Sequence, residues 1–149
     1  MTTIDTRGNV HDDDGRFAEK QNSAPAALAS ARPTPALPAE VNRRLRGHSF
    51  YPPKSARVPG IRETEGVPLE EKTVALKYFG PAGDWWITEL DRETGEAFGY
   101  ARLASAPEYA EWGYISLPEL ERIRIGSFVA VERDLNYEPQ RVAEAIPRR

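Results

Sequence analysis

The stretch Thr73-Val-Ala-Leu-Lys-Tyr-Phe79, followed by Gly80-Pro-Ala-Gly83 and Asp84-Trp-Trp-Ile-Thr-Glu-Leu90, decides the fold. β-Branched and aromatic residues dominate both flanks, and the Gly-Pro-Ala-Gly tetrapeptide between them is turn chemistry. It reads as a β-hairpin with Val74, Leu76 and Tyr78 on one face of the first strand. Successive strand residues point to opposite faces, so at most one of Trp85 and Trp86 faces the centre of a core. The other lies under a helix or at a surface, which makes Trp86 a candidate binding residue.

Downstream of the hairpin, Asp91-Arg-Glu-Thr-Gly-Glu96 is a second turn and Ala97-Phe-Gly-Tyr-Ala-Arg-Leu103 a third strand. After a loop through Pro107, Glu111-Trp-Gly-Tyr-Ile115 is a fourth. Ser116-Leu-Pro-Glu119 is a capping box with a proline in the first turn, and it predicts a short amphipathic helix through Leu120 and Ile123 to Gly126. Ser127-Phe-Val-Ala-Val-Glu132 reads as a fifth strand, and Pro139 to Ile146 as a weak terminal helix. The order predicts a small α+β fold: an antiparallel sheet of about five strands with one short packed helix.

Upstream, composition changes near Val67. Residues 1–66 hold 10 Lys+Arg and 8 Asp+Glu, net +2, whereas residues 67–149 hold 10 and 15, net −5. All three Trp lie in the second part, so it supplies most of a core. The division predicts a disordered Ala/Pro-rich leader over 1–38, a basic extended arm over 39–66 with a short helix from Pro38 to Arg46, and a compact domain over 67–149. Within the arm, positions 41–62 carry Arg43, Arg44, Arg46, Lys54, Arg57 and Arg62 with no acidic residue, interleaved with Phe50 and Tyr51. That composition suits a phosphate backbone or an acidic protein. It equally suits docking on the acidic domain of the same chain.

The residue inventory excludes several chemistries. There is no Cys, hence no disulfide, thiol nucleophile or thiolate metal site. The two His, His11 and His48, both precede the domain, which removes the usual base of a Ser/His hydrolase. The run His11-Asp-Asp-Asp-Gly15 fails as a calcium loop, because the spacing puts Val10 first and Gln21 twelfth. Phosphate-cradling glycine loops are missing. What remains is a carboxylate set: Glu89 and Asp91 end the second strand, Glu132 and Asp134 end the fifth, and if those ends met they would suit acid/base or magnesium chemistry. The alternative is charged strand ends paired by Arg92 and Arg133. No cofactor or bound metal is expected, no stretch is apolar enough to span a bilayer, and a cytoplasmic location is expected.

The pieces Tyr51-Pro-Pro, Val67-Pro-Leu-Glu-Glu-Lys-Thr-Val-Ala-Leu-Lys-Tyr-Phe79, Trp85-Trp-Ile-Thr-Glu-Leu-Asp91, Trp112-Gly-Tyr-Ile-Ser-Leu-Pro-Glu-Leu120 and Val131-Glu-Arg-Asp-Leu135 resemble the bacterial domain-of-unknown-function family 2958, carried on plasmids, phages and other mobile elements. The resemblance spans roughly Tyr51 to Leu135. It implies an accessory role, such as countering host defence or assisting transfer, and carries over no catalytic or binding residue. The expected function is therefore a non-enzymatic interaction protein with a protein partner. The alternatives are a nucleic-acid-binding factor using the 41–62 arm and, last, a carboxylate-based metal-assisted enzyme.

Overall fold

The computed structural model describes residues 37–148, together with two short paired segments near the N-terminus. Positions 1–34 and 35–149 form two compact units. In the first, β1 (Thr2–Ile4) pairs antiparallel with β2 (Val10–Asp12), Ile4 opposite Val10. The rest of the expected leader up to position 36, where the expectation of disorder chiefly falls, lies outside the described residues.

The second unit is α+β. Its elements are α1 (Arg43–Arg46), β3 (Thr73–Val74), β4 (Leu76–Gly80), β5 (Gly83–Leu90), β6 (Glu96–Leu103), β7 (Glu111–Ser116), α2 (Leu117–Arg122), β8 (Arg124–Ile125), β9 (Phe128–Val129), β10 (Glu132–Arg133), β11 (Gln140–Arg141) and α3 (Val142–Ala145). Five strands form an antiparallel sheet in the order β10-β4-β5-β6-β7, while β3 pairs with β11 and β8 with β9. Among the described residues no helix is long and apolar enough to cross a membrane.

The hairpin forms as read, with Tyr78 opposite Trp85 and Gly80 opposite Gly83. The strand before it is broken, however. A β-bulge in β5 between Ile87 and Glu89 shifts the register, and the Ala75 N–H donates to the Ile87 carbonyl at 2.8 Å. Side-chain alternation therefore inverts at Ala75. Leu76 and Tyr78 join the main core, whereas Val74 turns to the opposite face and packs with Trp86 and Val142. Gly99 is required at the centre of the sheet, since a Cβ there would lie 2.0 Å from the Trp86 carbonyl oxygen.

The capping box begins α2 as expected, Ser116 Oγ accepting from the Glu119 N–H at 3.2 Å. The helix stops at Arg122 instead of reaching Gly126. Gly126 lies at φ +62 in the two-residue turn of the β8–β9 hairpin, a backbone that favours glycine. The fifth strand of the sheet is thus Glu132–Arg133, after the position read from the sequence.

The arm is part of this domain. Phe50 is fully buried against Tyr78 with ring centroids 4.6 Å apart, and the Tyr78 hydroxyl donates to the Phe50 carbonyl at 2.8 Å. Tyr51 is buried beside them. The arm's backbone is held along its length: Arg133 donates to the Ser49 carbonyl at 3.1 Å, Arg92 to the Ala56 carbonyl at 2.8 Å, and the Leu90 N–H to the Pro59 carbonyl at 2.8 Å.

Candidate interaction surfaces

The basic run over 41–62 has divided fates. Asn42 and Arg46 are buried, together with Glu121 on α2. One Glu121 carboxylate oxygen accepts the Val41 N–H at 2.9 Å; the other accepts the Asn42 N–H at 2.7 Å and the Arg46 guanidinium at 2.9 Å. The Glu121 carbonyl takes the Asn42 side-chain amide at 2.9 Å. Arg46 also lies over the Phe50 ring, 4.6 Å from its centroid. A buried carboxylate needs this many donors, because desolvation of a single charge is otherwise prohibitive. Arg46, Phe50 and Tyr51, candidates for partner binding or for docking on the chain's own domain, are inside the domain. Burial first, and then the nearby Glu121 and Glu40 charges, push the Tyr51 hydroxyl up to about 12.

Pinning α1 to α2 leaves the rest of α1 facing outward. Arg43, Arg44 and Leu45 are exposed, and α1 lies against β9 of the β8–β9 hairpin. Arg122 at the end of α2 is exposed, as are Arg124, Ile125 and Phe128 of that hairpin, the last at 73%. Two segments remote in sequence, 41–47 and 122–131, neither containing a carboxylate, thus meet in one surface of arginines and large apolar side chains. Sequence reading missed the second segment by running the helix to Gly126. The alternation Arg122-Ile-Arg-Ile125 before Gly-Ser was the signal of a hairpin. Lys54, Arg57 and Arg62 are exposed elsewhere along the arm.

The four candidate carboxylates do not converge. Glu132 pairs in register with Phe79, which faces Asp84, five residues before Glu89 on β5. At about 3.4 Å per residue that is ~17 Å. The two strand ends lie at opposite ends of an antiparallel ladder, a consequence of β10 pairing with the far half of β4. Each carboxylate has local duties. Asp91 accepts the Glu93 N–H at 2.8 Å, which holds its pKa below the ordinary value, and Asp134 accepts the Asn136 N–H at 3.0 Å. Glu132 contacts His48 at 3.1 Å. Arg92 and Arg133, expected to pair with these acids, bind arm carbonyls instead. Among the described residues no group of three His, Asp or Glu is placed to hold a metal ion.

Glu89 is the most elaborate of the four. It is buried, and it accepts the Arg62 N–H at 2.8 Å, the Thr64 N–H at 3.1 Å and the Thr64 hydroxyl. The buried Lys72 ammonium is 3.7 Å away and donates to Thr64 Oγ1 at 2.7 Å and to the Thr64 carbonyl. Burial pushes this carboxyl up, but the Thr64 and Arg62 hydrogen bonds and the Lys72 charge outweigh it, leaving the pKa below its ordinary value. Arg62 sits at φ +70 in the loop so held.

Trp86, the candidate binding residue on this face, is 4% exposed and packed with Val74 and Val142, with Lys77 4.9 Å from its ring centroid. The aromatic residues that do reach solvent are further across the same face. Phe98 and Tyr100 on β6 meet Trp112 and Tyr114 on β7, with centroids 5.4 to 5.8 Å apart, and Tyr114 is 60% exposed.

The architecture is that of a small α+β domain built on an antiparallel sheet, with a basic arm folded into its core. A family model described as "Protein of unknown function (DUF2958)" matches residues 63–145, more than half of the chain, and the chain belongs to that family. No curated protein and no solved structure matches it.

Proposed function

We propose that the protein is a non-enzymatic accessory protein of a mobile genetic element that acts by binding a protein partner, of host-defence or transfer machinery, through the α1 and β8–β9 surface. One observation carries the binding surface. Val41, Leu45, Ile123, Ile125 and Phe128 are all exposed and are interleaved with Arg43, Arg44, Arg122 and Arg124, with no carboxylate in either segment. Contiguous apolar surface with Phe and Arg, and without Lys, is the composition of a protein interface centre. The complementary partner presents an apolar patch rimmed by Asp or Glu. The mobile-element setting rests on the resemblance of the sequence motifs to that family.

Nucleic acid is the second reading, favoured by the same four arginines. The two separate cleanly. The test is affinity capture from host lysate with the wild type and with Arg43→Glu/Arg124→Glu/Phe128→Ala, alongside titration against labelled DNA and RNA at two salt concentrations. The protein reading expects a nuclease-resistant protein captured by the wild type and lost by the variant, with melting unchanged. Nuclease-sensitive capture, or binding to labelled nucleic acid that falls steeply with salt, would transfer the surface to a phosphate backbone.

A further inference from the structure

The two edges of the five-stranded sheet are finished differently. At one edge β10 is two residues long and flanked by the arm, through Arg133 on the Ser49 carbonyl and Glu132 on His48. At the other, β7 is six residues long and, among the described residues, pairs only with β6. It carries no Lys, no Pro and no register shift against β6, three of the usual guards of an exposed edge, and its one charge is Glu111 at the start. Its central Gly113 has nothing within 4 Å of where a Cβ would stand.

Charge and side-chain chemistry define what the edge would accept. From Leu103 to Glu121 there is no Lys, Arg or His. Glu111 begins β7, and at its other end Asp91, Glu96 and Glu119 line a hollow of about 510 Å³ beside Tyr114. On the outer face, Trp112 and Tyr114 continue an aromatic strip from β6. Cross-strand neighbours on one face lie ~5 Å apart, so a strand added to β7 places alternate side chains against these two rings. Its intervening residues fall opposite Glu111 and Gly113.

We propose that β7 is a second binding surface, which takes an extended segment of a partner protein as a sixth strand, with apolar side chains against Trp112 and Tyr114 alternating with Lys or Arg. Main-chain hydrogen bonds give the affinity of such an addition, and the carboxylates and rings its selectivity. It shares no residue with the arginine-rich surface, so the two inferences are tested by different variants.

The experiment uses the full chain and a labelled peptide of alternating arginine and isoleucine, with the glutamate–isoleucine counterpart as control. Anisotropy is expected to show binding of the basic peptide only, weakened at least ~tenfold by Glu111→Arg and by Tyr114→Ala and unchanged by Arg43→Glu/Arg124→Glu. Both β7 positions are exposed, so melting should be unaltered. Hydrogen exchange should slow at the amides of β7 and not of β10. No binding, or binding with protection confined elsewhere, overturns the proposal. Protection of β7 that appears in the peptide-free chain on raising its concentration assigns the edge to a second copy, and also overturns it.

Discussion

Two buried carboxylates, Glu121 and Glu89, use one device to opposite effect. Each collects backbone N–H groups from the segment that precedes the sheet: Glu121 from Val41 and Asn42, Glu89 from Arg62 and Thr64. Each is joined by a buried cation, Arg46 for the first and Lys72 for the second. Glu121 fastens the start of the arm and leaves α1 facing outward. Glu89 fastens its end and draws a loop over the sheet. Between these anchors the arm drops Phe50 and Tyr51 into the core. The basic run is therefore a structural strap whose leftover arginines form the surface, which is why its composition alone reads equally well as a nucleic-acid tail and as a docked arm.

The most severe way to break this pairing is to remove the strap. A fragment beginning at Val67 keeps Lys72 but loses Arg46, the backbone donors to both carboxylates and the two core aromatics, each aromatic worth ~3–5 kcal/mol by large-to-small comparison. Against a typical total of ~5–15 kcal/mol, that fragment should show no cooperative melting by circular dichroism. Next is Glu121→Ala in the full chain, which removes the 2.9 Å partner of the buried Arg46 guanidinium, leaves it with Glu40 at 3.7 Å, and should cost ~3–5 kcal/mol in denaturant unfolding. A fragment that melts like the whole chain would show that the arm contributes nothing to the fold.

How legible this was depends on the range of the interaction. The hairpin at Gly80–Gly83 and the Ser116 cap rest on neighbours in sequence, and both form where the residues place them. The break at Ala75 does not, because it answers a bulge on another strand. Nor does the separation of Glu89 from Glu132, which is set by the choice of β10 to pair with β4 near Phe79. Carboxylates at strand ends are visible in sequence; which end meets which is a matter of register. Arg46 against Glu121 spans 75 positions, and nothing local distinguishes Arg46 from Arg43 or Arg44 beside it.

A smaller effect tests the Glu89 anchor by pH. The Glu89 pKa is lowered on folding from its ordinary 4.5, so its ionised form stabilises the native state at neutral pH. That contribution is complete above the unfolded value and is lost as pH falls through it towards the folded one. Glu89→Gln should cost ~1–3 kcal/mol at pH 7 and flatten the acid limb of melting temperature against pH below ~5. An unchanged acid limb would show that Lys72 and Thr64 order the loop without the charge.

The gentlest test leaves both anchors in place and loosens only the element that carries Glu121. Ser116 accepts one of the four N–H groups that the first turn of α2 leaves unpaired. Ser116→Ala should therefore cost ~1 kcal/mol in denaturant unfolding, with no loss of the native fold. Its value lies in where the loss appears. If Glu121 couples α1 to α2, weakening the cap should also speed hydrogen exchange at the Val41 and Asn42 amides, nearly eighty positions away in sequence. Exchange that rises only within α2 would mean that Glu121 is held by the β-sheet side of the core and that the strap does not sense the helix it binds.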